Sequence, residues 1–272
     1  MRISYDLHNH TYLSACCGEK EEQQPACIID RAKGMGLTTL GFSDHIWVNP
    51  ALEPSEWYRP QNETHIAQLR RDLAECSADG INVLVGCEAD TIGVGRFGMT
   101  REFADTLDFV LLSCSHIHMK GFVAQPEEDT PDSIGRHLLS LFRSGVASGL
   151  PTAIAHPLVP LGSTDRFDDI VASLDDATLF DAFGLAAEHG VALEITTCFL
   201  PDPDAPQWSL ETPVRMLTLA KNAGCRFTFG SDAHSAARQK SLINLMPLLD
   251  AVDITDADMF LPPKSNTRSP RQ

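Results

Sequence analysis

A parallel α/β fold closed as a barrel is what this sequence predicts, on three observations. Seven short apolar runs recur along the 272 residues, bounded by loop or helical sequence. Between them lie segments with apolar residues at three-and-four spacing. Nearly every apolar run ends in a histidine, aspartate or glutamate. Strands alternating with helices imply a parallel sheet, which either an open doubly wound sheet or a barrel satisfies. The polar strand ends separate the two. In a parallel barrel the C-terminal ends of the strands converge on one rim, whereas an open sheet spreads them along an edge.

The elements follow in order. A first strand over residues 3–7 leads into His8 and His10. Alternate residues of an extended chain face one side, so one cation can take both imidazoles. A second strand, 38–42, leads into Asp44 and His45 within GFSDH. Ile66, Leu69, Leu73 and Cys76 mark a helix, and a third strand, 82–86, runs to Glu88 within LVGCEAD. The fourth, 109–113, runs to His116 within LLSCSH, and Leu138, Leu139, Phe142 and Val146 mark the next helix. The fifth, 152–155, ends at His156, and Leu179, Phe183, Ala186 and Ala187 follow on a helix. The sixth, 191–195, carries Glu194 at its end, followed by the helical face Val214, Leu217 and Ala220. The seventh, 226–229, leads into Asp232 and His234 within GSDAH. Gly36, Gly80, Gly149, Gly190 and Gly224 stand where helices should stop. The barrel is expected to occupy 1–261 as one domain, with 262–272, PPKSNTRSPRQ, fraying for lack of apolar residues.

Composition narrows the function. A formal net charge of -16 counts against a nucleic-acid polymer as partner, because phosphate backbones attract basic surfaces. No apolar run nears the roughly 18 residues of a membrane helix, so no membrane partner is expected. The start MRISYDLHNH lacks the apolar stretch of an export signal. Eight scattered cysteines then read as reduced thiols, and the protein is expected in the cytoplasm. Six of the ten histidines stand at strand ends, which packing alone seldom produces. Imidazole and carboxylate together suit Zn, Mn or Fe.

HNHT, SDH, the lone Glu88, S-x-S-H, AHP and GSDAH, taken in this order, resemble the polymerase-and-histidinol-phosphatase (PHP) family from His8 to His234. That resemblance implies a distorted (β/α)7 TIM-like barrel, two or three divalent transition metal ions, and phosphoester hydrolysis. It groups His8, His10, Glu88 and Asp232 on one metal, and Glu88, His116 and His156 on a second, with Glu88 bridging. His45 and His234 belong to a third. Many members place a histidine eight residues after the first of the H-x-H pair; here Cys16 stands there. Cys16 is a thiolate ligand favouring Zn or Fe over Mn, or a bystander to a two-metal site, or part of a shifted loop from which no sulfur reaches.

The expected activity is hydrolysis of a small phosphate ester, a phosphomonoester or nucleotide as in histidinol-phosphate phosphatase, by metal-activated hydroxide. Asp232 or a nearby histidine, His45 or His234, would shuttle protons. Asp44 is expected to orient a ligating imidazole, and Glu194 either to do the same or to have a structural partner. Candidate substrate contacts are Arg59 beside Trp57 and Tyr58 in loop 47–62, Arg96 in GVGRFGMTR, His118 and Lys120 after the fourth strand, and Arg238. The Pro- and Asp-rich loop 196–208 is a candidate lid. Two other functions compete: a metal-dependent amidohydrolase, disfavoured because no strand ends in lysine, and a barrel with a structural, non-catalytic metal site. Oligomeric state is not legible.

Overall fold

Glycines decide how closely the strands pack around the interior. A Cβ at Gly41 or Gly86 would lie 2.8 or 2.6 Å from the Phe109 ring. Their bare backbone therefore leaves the space that this buried ring fills. Phe109 immediately precedes one of nine strands in this computed structural model, which describes residues 1–264.

The strands are β1 (Tyr5–Asp6), β2 (Thr39–Phe42), β3 (Asn82–Val85), β4 (Cys87–Gly93), β5 (Arg96–Phe97), β6 (Val110–Ser113), β7 (Ala153–Ala155), β8 (Ala192–Thr196) and β9 (Phe227–Gly230). The helices are α1 (Pro25–Gly34), α2 (Glu63–Glu75), α3 (Arg101–Ala104), α4 (Pro131–Ala147), α5 (Phe167–Ala172), α6 (Asp176–Glu188), α7 (Glu211–Asn222), α8 (Ala236–Lys240) and α9 (Met246–Val252). All seven expected strands are present. The expected helical faces lie on α2, α4, α6 and α7, and Leu138, Leu139, Phe142 and Val146 of α4 are buried. Side-chain caps start three of these helices: Asn62 before α2, Thr130 before α4 and Asp175 before α6. Gly149 and Gly190 follow α4 and α6 at φ +67 and +65, the left-handed stop that glycine adopts without a Cβ clash.

The strands form two sheets in one α/β domain. One is parallel, in the order β1-β2-β3; the other runs β5-β4-β6-β7-β8-β9, parallel except for β5. Backbone hydrogen bonds join them at both margins. On one side Glu88 N donates to Ser43 O at 3.0 Å and Ile46 N donates to Glu88 O at 3.1 Å. On the other, Leu7 N donates to Phe229 O at 2.9 Å and Ala233 N donates to His8 O at 3.1 Å.

GVGRFGMTR differs from the loop the sequence suggests. Thr91 pairs with Phe97 and Gly93 with Arg96 across a tight turn with Gly95 at φ +70, giving the β4–β5 hairpin. Arg96 thereby sits exposed on the sheet edge. None of the eight cysteines forms a disulfide. No helix among the described residues is long and apolar enough to cross a membrane. The described part of the 262–272 tail is Pro262, Pro263 and Lys264; its remainder lies outside the described residues.

Candidate metal centre

The cluster is built around Glu88, only 1% exposed. Its Oε2 lies 3.2 Å from His8 Nε2, 3.4 Å from His10 Nε2 and 3.3 Å from His45 Nδ1. Its Oε1 lies 2.9 Å from His156 Nε2 and 3.7 Å from His116 Nε2. Five imidazoles from four other strand ends thus surround one carboxylate, and its two oxygens face different sets. Asp232 Oδ1 completes the first set, 3.4 Å from His8 Nε2 and 3.3 Å from His10 Nε2.

Five of the six imidazoles in the cluster, all but His45, meet a partner at Nδ1. His8 Nδ1 bonds Glu194 Oε1 at 2.7 Å, His116 Nδ1 bonds Asp90 Oδ1 at 2.5 Å, and His156 Nδ1 bonds Ser115 Oγ at 2.7 Å. His10 Nδ1 meets Ser14 Oγ at 3.2 Å, and His234 Nδ1 donates to the Asp232 carbonyl at 3.0 Å. A carboxylate or carbonyl there takes the ring N–H of Nδ1, so in the neutral ring the lone pair lies on Nε2 and faces the cluster. Glu194 also receives His156 N on its second oxygen at 2.7 Å, so one buried carboxylate ties together two strand ends. That carboxylate fits because Gly230 has no side chain: a Cβ there would stand 1.8 Å from Glu194 Oε1 and 2.7 Å from His8 Cβ.

Charge follows from this crowding. Burial works against the charged form of His8, yet Glu194, Glu88 and Asp232 hold it well above its ordinary value. Burial likewise opposes His10 and His116, but the Asp232 and Glu88 contacts, and the Asp90 contact, raise them to about 9. His8 Nε2 and His10 Nε2 are 3.1 Å apart, so both cannot carry a proton at once. The pair holds at least one. Burial drives His45 down to about 3 and, helped by His10, His234 to about 4. Burial opposes ionisation of Glu88 and Asp232, but the imidazoles keep both well below the carboxylate range.

The donor set fits divalent metal. Three groups each offer ligand atoms within 4.8 Å of one another: His8, His10, Glu88 and Asp232; Glu88, His116 and His156; and His10, Cys16, His45 and His234. Buried His45 Nδ1 and Asp90 Oδ2 have no hydrogen-bond partner. An orphaned buried ring nitrogen and carboxylate oxygen are costly in a dry interior and are satisfied by a cation. Two of these residues, His156 at φ +29 and Asp232 at φ +52, hold a left-handed backbone that side chains disfavour. Such strain, on the order of 1–3 kcal/mol each, gathers at functional sites.

The structure distributes the other expected residues unevenly. A cleft of about 470 Å3 is walled by Cys16, His45, Trp57, Tyr58, Glu88, His116, His118, Met119, Leu161, Asp232 and His234. His118 is thus on the wall. Lys120 lines a neighbouring depression instead, with Asp129, Asp165 and Arg166. Arg59 points away: it pairs with Glu53 and Glu56 and lines a separate groove of about 820 Å3 that holds none of the histidines. Arg96, on its hairpin, is absent from the cleft wall. Arg238 donates to Ser231 O and Cys198 Sγ beside Asp232. Of loop 196–208, no residue walls the cleft.

Asp44 does not orient an imidazole. Its carboxylate accepts Thr11 N at 2.6 Å and Thr11 Oγ1 at 2.7 Å, fixing the chain just after His10. The adjacent Thr11 presents two donors, and these claim both oxygens. Asp90, Ser14, Ser115 and Cys198 escape sequence reasoning. Asp90 alone had a signal, lying two residues after Glu88 on the same strand face. The two serines and Cys198 have none, being set by which strands become neighbours.

Fold and site define a metal-binding α/β protein. The chain belongs to the PHP domain family, whose model matches residues 6–198. It is 28% identical over 241 residues to a probable histidinol-phosphatase of Deinococcus radiodurans, covering 84% of this chain and 85% of that one. It is 25% identical over 271 residues to the probable phosphatase YcdX of Escherichia coli K12, covering 98% and 91%. Its fold is similar to the histidinol phosphate phosphatase of Lactococcus lactis, solved with zinc, L-histidinol and phosphate. There the TM-score is 0.60 and the identity 20%, covering 93% of this chain and 94% of that one.

Proposed function

We propose that this chain is a metal-dependent phosphoesterase acting on a small phosphomonoester. We further propose that its two sheets close as a distorted (β/α)7 barrel spanning 1–261. The observation that carries the function is Glu88, whose two oxygens face two imidazole sets. A carboxylate placed so is suited to bridge two cations. His8, His10, Glu88 and Asp232 would hold one; Glu88, His116 and His156 a second; Cys16, His45 and His234, with His10 beside them, a third. Bound divalent cations supply charge that offsets the phosphoryl oxygens and lowers the pKa of attacking water.

The chain's own residues do the rest. Glu194, Asp90 and Ser115 keep ring nitrogens aimed inward. Asp232 and His234 both wall the cleft, and whichever of them is not holding a cation would be the one to take and return a proton. Trp57, Tyr58, Met119 and Leu161 add apolar surface to the cleft wall, which suits the organic part of a phosphomonoester. At about 470 Å3 the cleft has the size of small-molecule sites rather than of a polymer groove. A glutamate in the bridging position favours this reading over an amidohydrolase built on a bridging lysine. A reducing compartment such as the cytoplasm is part of this proposal, supported by the eight free thiols.

Purified protein supplied separately with Zn, Mn and Fe is expected to bind about two or more equivalents. It should cleave an aryl phosphate and one class within a panel of phosphorylated metabolites. Less than one equivalent after reconstitution, or no phosphatase activity with any metal, overturns the proposal. Cys16 has its own test. Cobalt-loaded protein should show a sulfur-to-metal charge-transfer band that Cys16→Ser loses, together with one equivalent of metal; a full metal count in that variant removes Cys16 from the site.

A further inference from the structure

We propose that Cys198 and Arg238 are positioning residues that hold the Asp232 carboxylate toward the imidazole cluster; this rests on the metal reading above. The two oxygens of Asp232 have different surroundings. Oδ1 faces His10, His8 and His234 at 3.3, 3.4 and 3.6 Å. Oδ2 meets Cys198 Sγ at 3.2 Å on the opposite side. A sulfur that close to a carboxylate oxygen needs the thiol proton between them, so Cys198 donates. Its lone pairs are then free to accept Arg238 Nη2, which lies 3.0 Å away. A thiol is a weak donor alone; an ionised acceptor on one side and a guanidinium on the other strengthen the chain of bonds.

The backbone under Asp232 is held by the same two elements. Ser231 O accepts Thr197 Oγ1 at 2.6 Å and Arg238 Nε at 3.2 Å. Thr197 and Cys198 belong to the 3-10 turn Thr197–Phe199 that follows β8, and the turn is fixed by Cys198 N donating to Thr196 Oγ1. Arg238 belongs to α8, capped by Ser235. Two elements that contribute no ligand therefore grip the Ser231–Asp232 peptide, whose left-handed φ of +52 has little tendency to persist unaided. Arg238 stands among the sequence candidates for a phosphate contact. In the fold its Nε and Nη2 are committed to this grip.

The test is zinc affinity by competition with a chromogenic chelator, measured beside the melting temperature of the metal-free protein. Cys198→Ala should weaken zinc binding by roughly 10–100-fold, the usual cost of losing an outer partner of a ligand. Cys198→Ser, which keeps a donor, should stay within about threefold of wild type. All three metal-free proteins should melt alike. Arg238→Met, on a half-buried surface helix, provides the second variant should Cys198→Ala fail to fold. It should weaken zinc without changing inhibition by inorganic phosphate at saturating zinc. Wild-type zinc affinity in both Cys198→Ala and Arg238→Met overturns the proposal. So does equal weakening in the alanine and serine variants, or a raised phosphate inhibition constant with unchanged zinc affinity in Arg238→Met. Wild-type protein that binds no zinc overturns the metal reading itself.

Discussion

Glu88→Gln is expected to abolish phosphatase activity while leaving the fold in place. The amide has nearly the volume of the carboxylate, so the packing around it survives. What is lost is a negative charge 2.9–3.4 Å from four ring nitrogens, on His156, His8, His45 and His10. An amide neither bridges two cations nor offsets the charge of the surrounding imidazoles. The loss should exceed the roughly 10–100-fold cost of removing an outer partner, because both metals lose a ligand together. Far-ultraviolet dichroism and metal content, measured on one preparation, check this. A variant that keeps two metals and its turnover would show that Glu88 only packs against the histidines.

Metal uptake should be acid-sensitive and should release protons. Without a cation, the His8–His10 pair carries at least one proton at neutral pH, and His116 is raised to about 9 by Asp90 once the opposing effect of burial is overcome. Coordination requires the neutral ring. The sign is therefore fixed: below pH 9 each entering cation displaces protons, and apparent affinity rises with pH. For one proton per ion the change is about tenfold per pH unit, which corresponds to about 1.4 kcal/mol. His45 and His234, lowered to about 3 and 4 by burial, contribute nothing to the slope above pH 6. Chelator competition at several pH values, with a proton-release assay in weak buffer, measures the slope directly. Affinity flat between pH 6.5 and 8.5 would contradict the charge state argued for the pair and for His116.

Much of this site was legible in the sequence because of how parallel strands are built. An apolar run followed by a polar residue marks a strand end, and in this topology strand ends converge. His8, His45, Glu88, His116, His156 and Asp232 could thus be brought together before any coordinates were considered. The cationic candidates were less legible. Arg59 and Arg96 stand in loop-like sequence near strand ends, but one is claimed by Glu53 and Glu56 and the other is carried off by a hairpin. Nothing local announces such competition, because a charged side chain goes to whichever partner the finished fold puts nearest.

The sequence by itself determined the order of strands, the helical faces and the residues able to bind metal, since those depend on spacing along a few neighbouring positions. Only the tertiary structure decided which groups aim them. Glu194 reaches His8 across 186 residues, Asp90 reaches His116 across 26, and Ser115 reaches His156 across 41. It also took Oδ1 and Oδ2 of Asp44 for Thr11, and it set Cys198 against Asp232. A ligand is chosen by its own chemistry and its place at a strand end. Its orienting partner is chosen by the distance between two strands, which no short stretch of chain encodes.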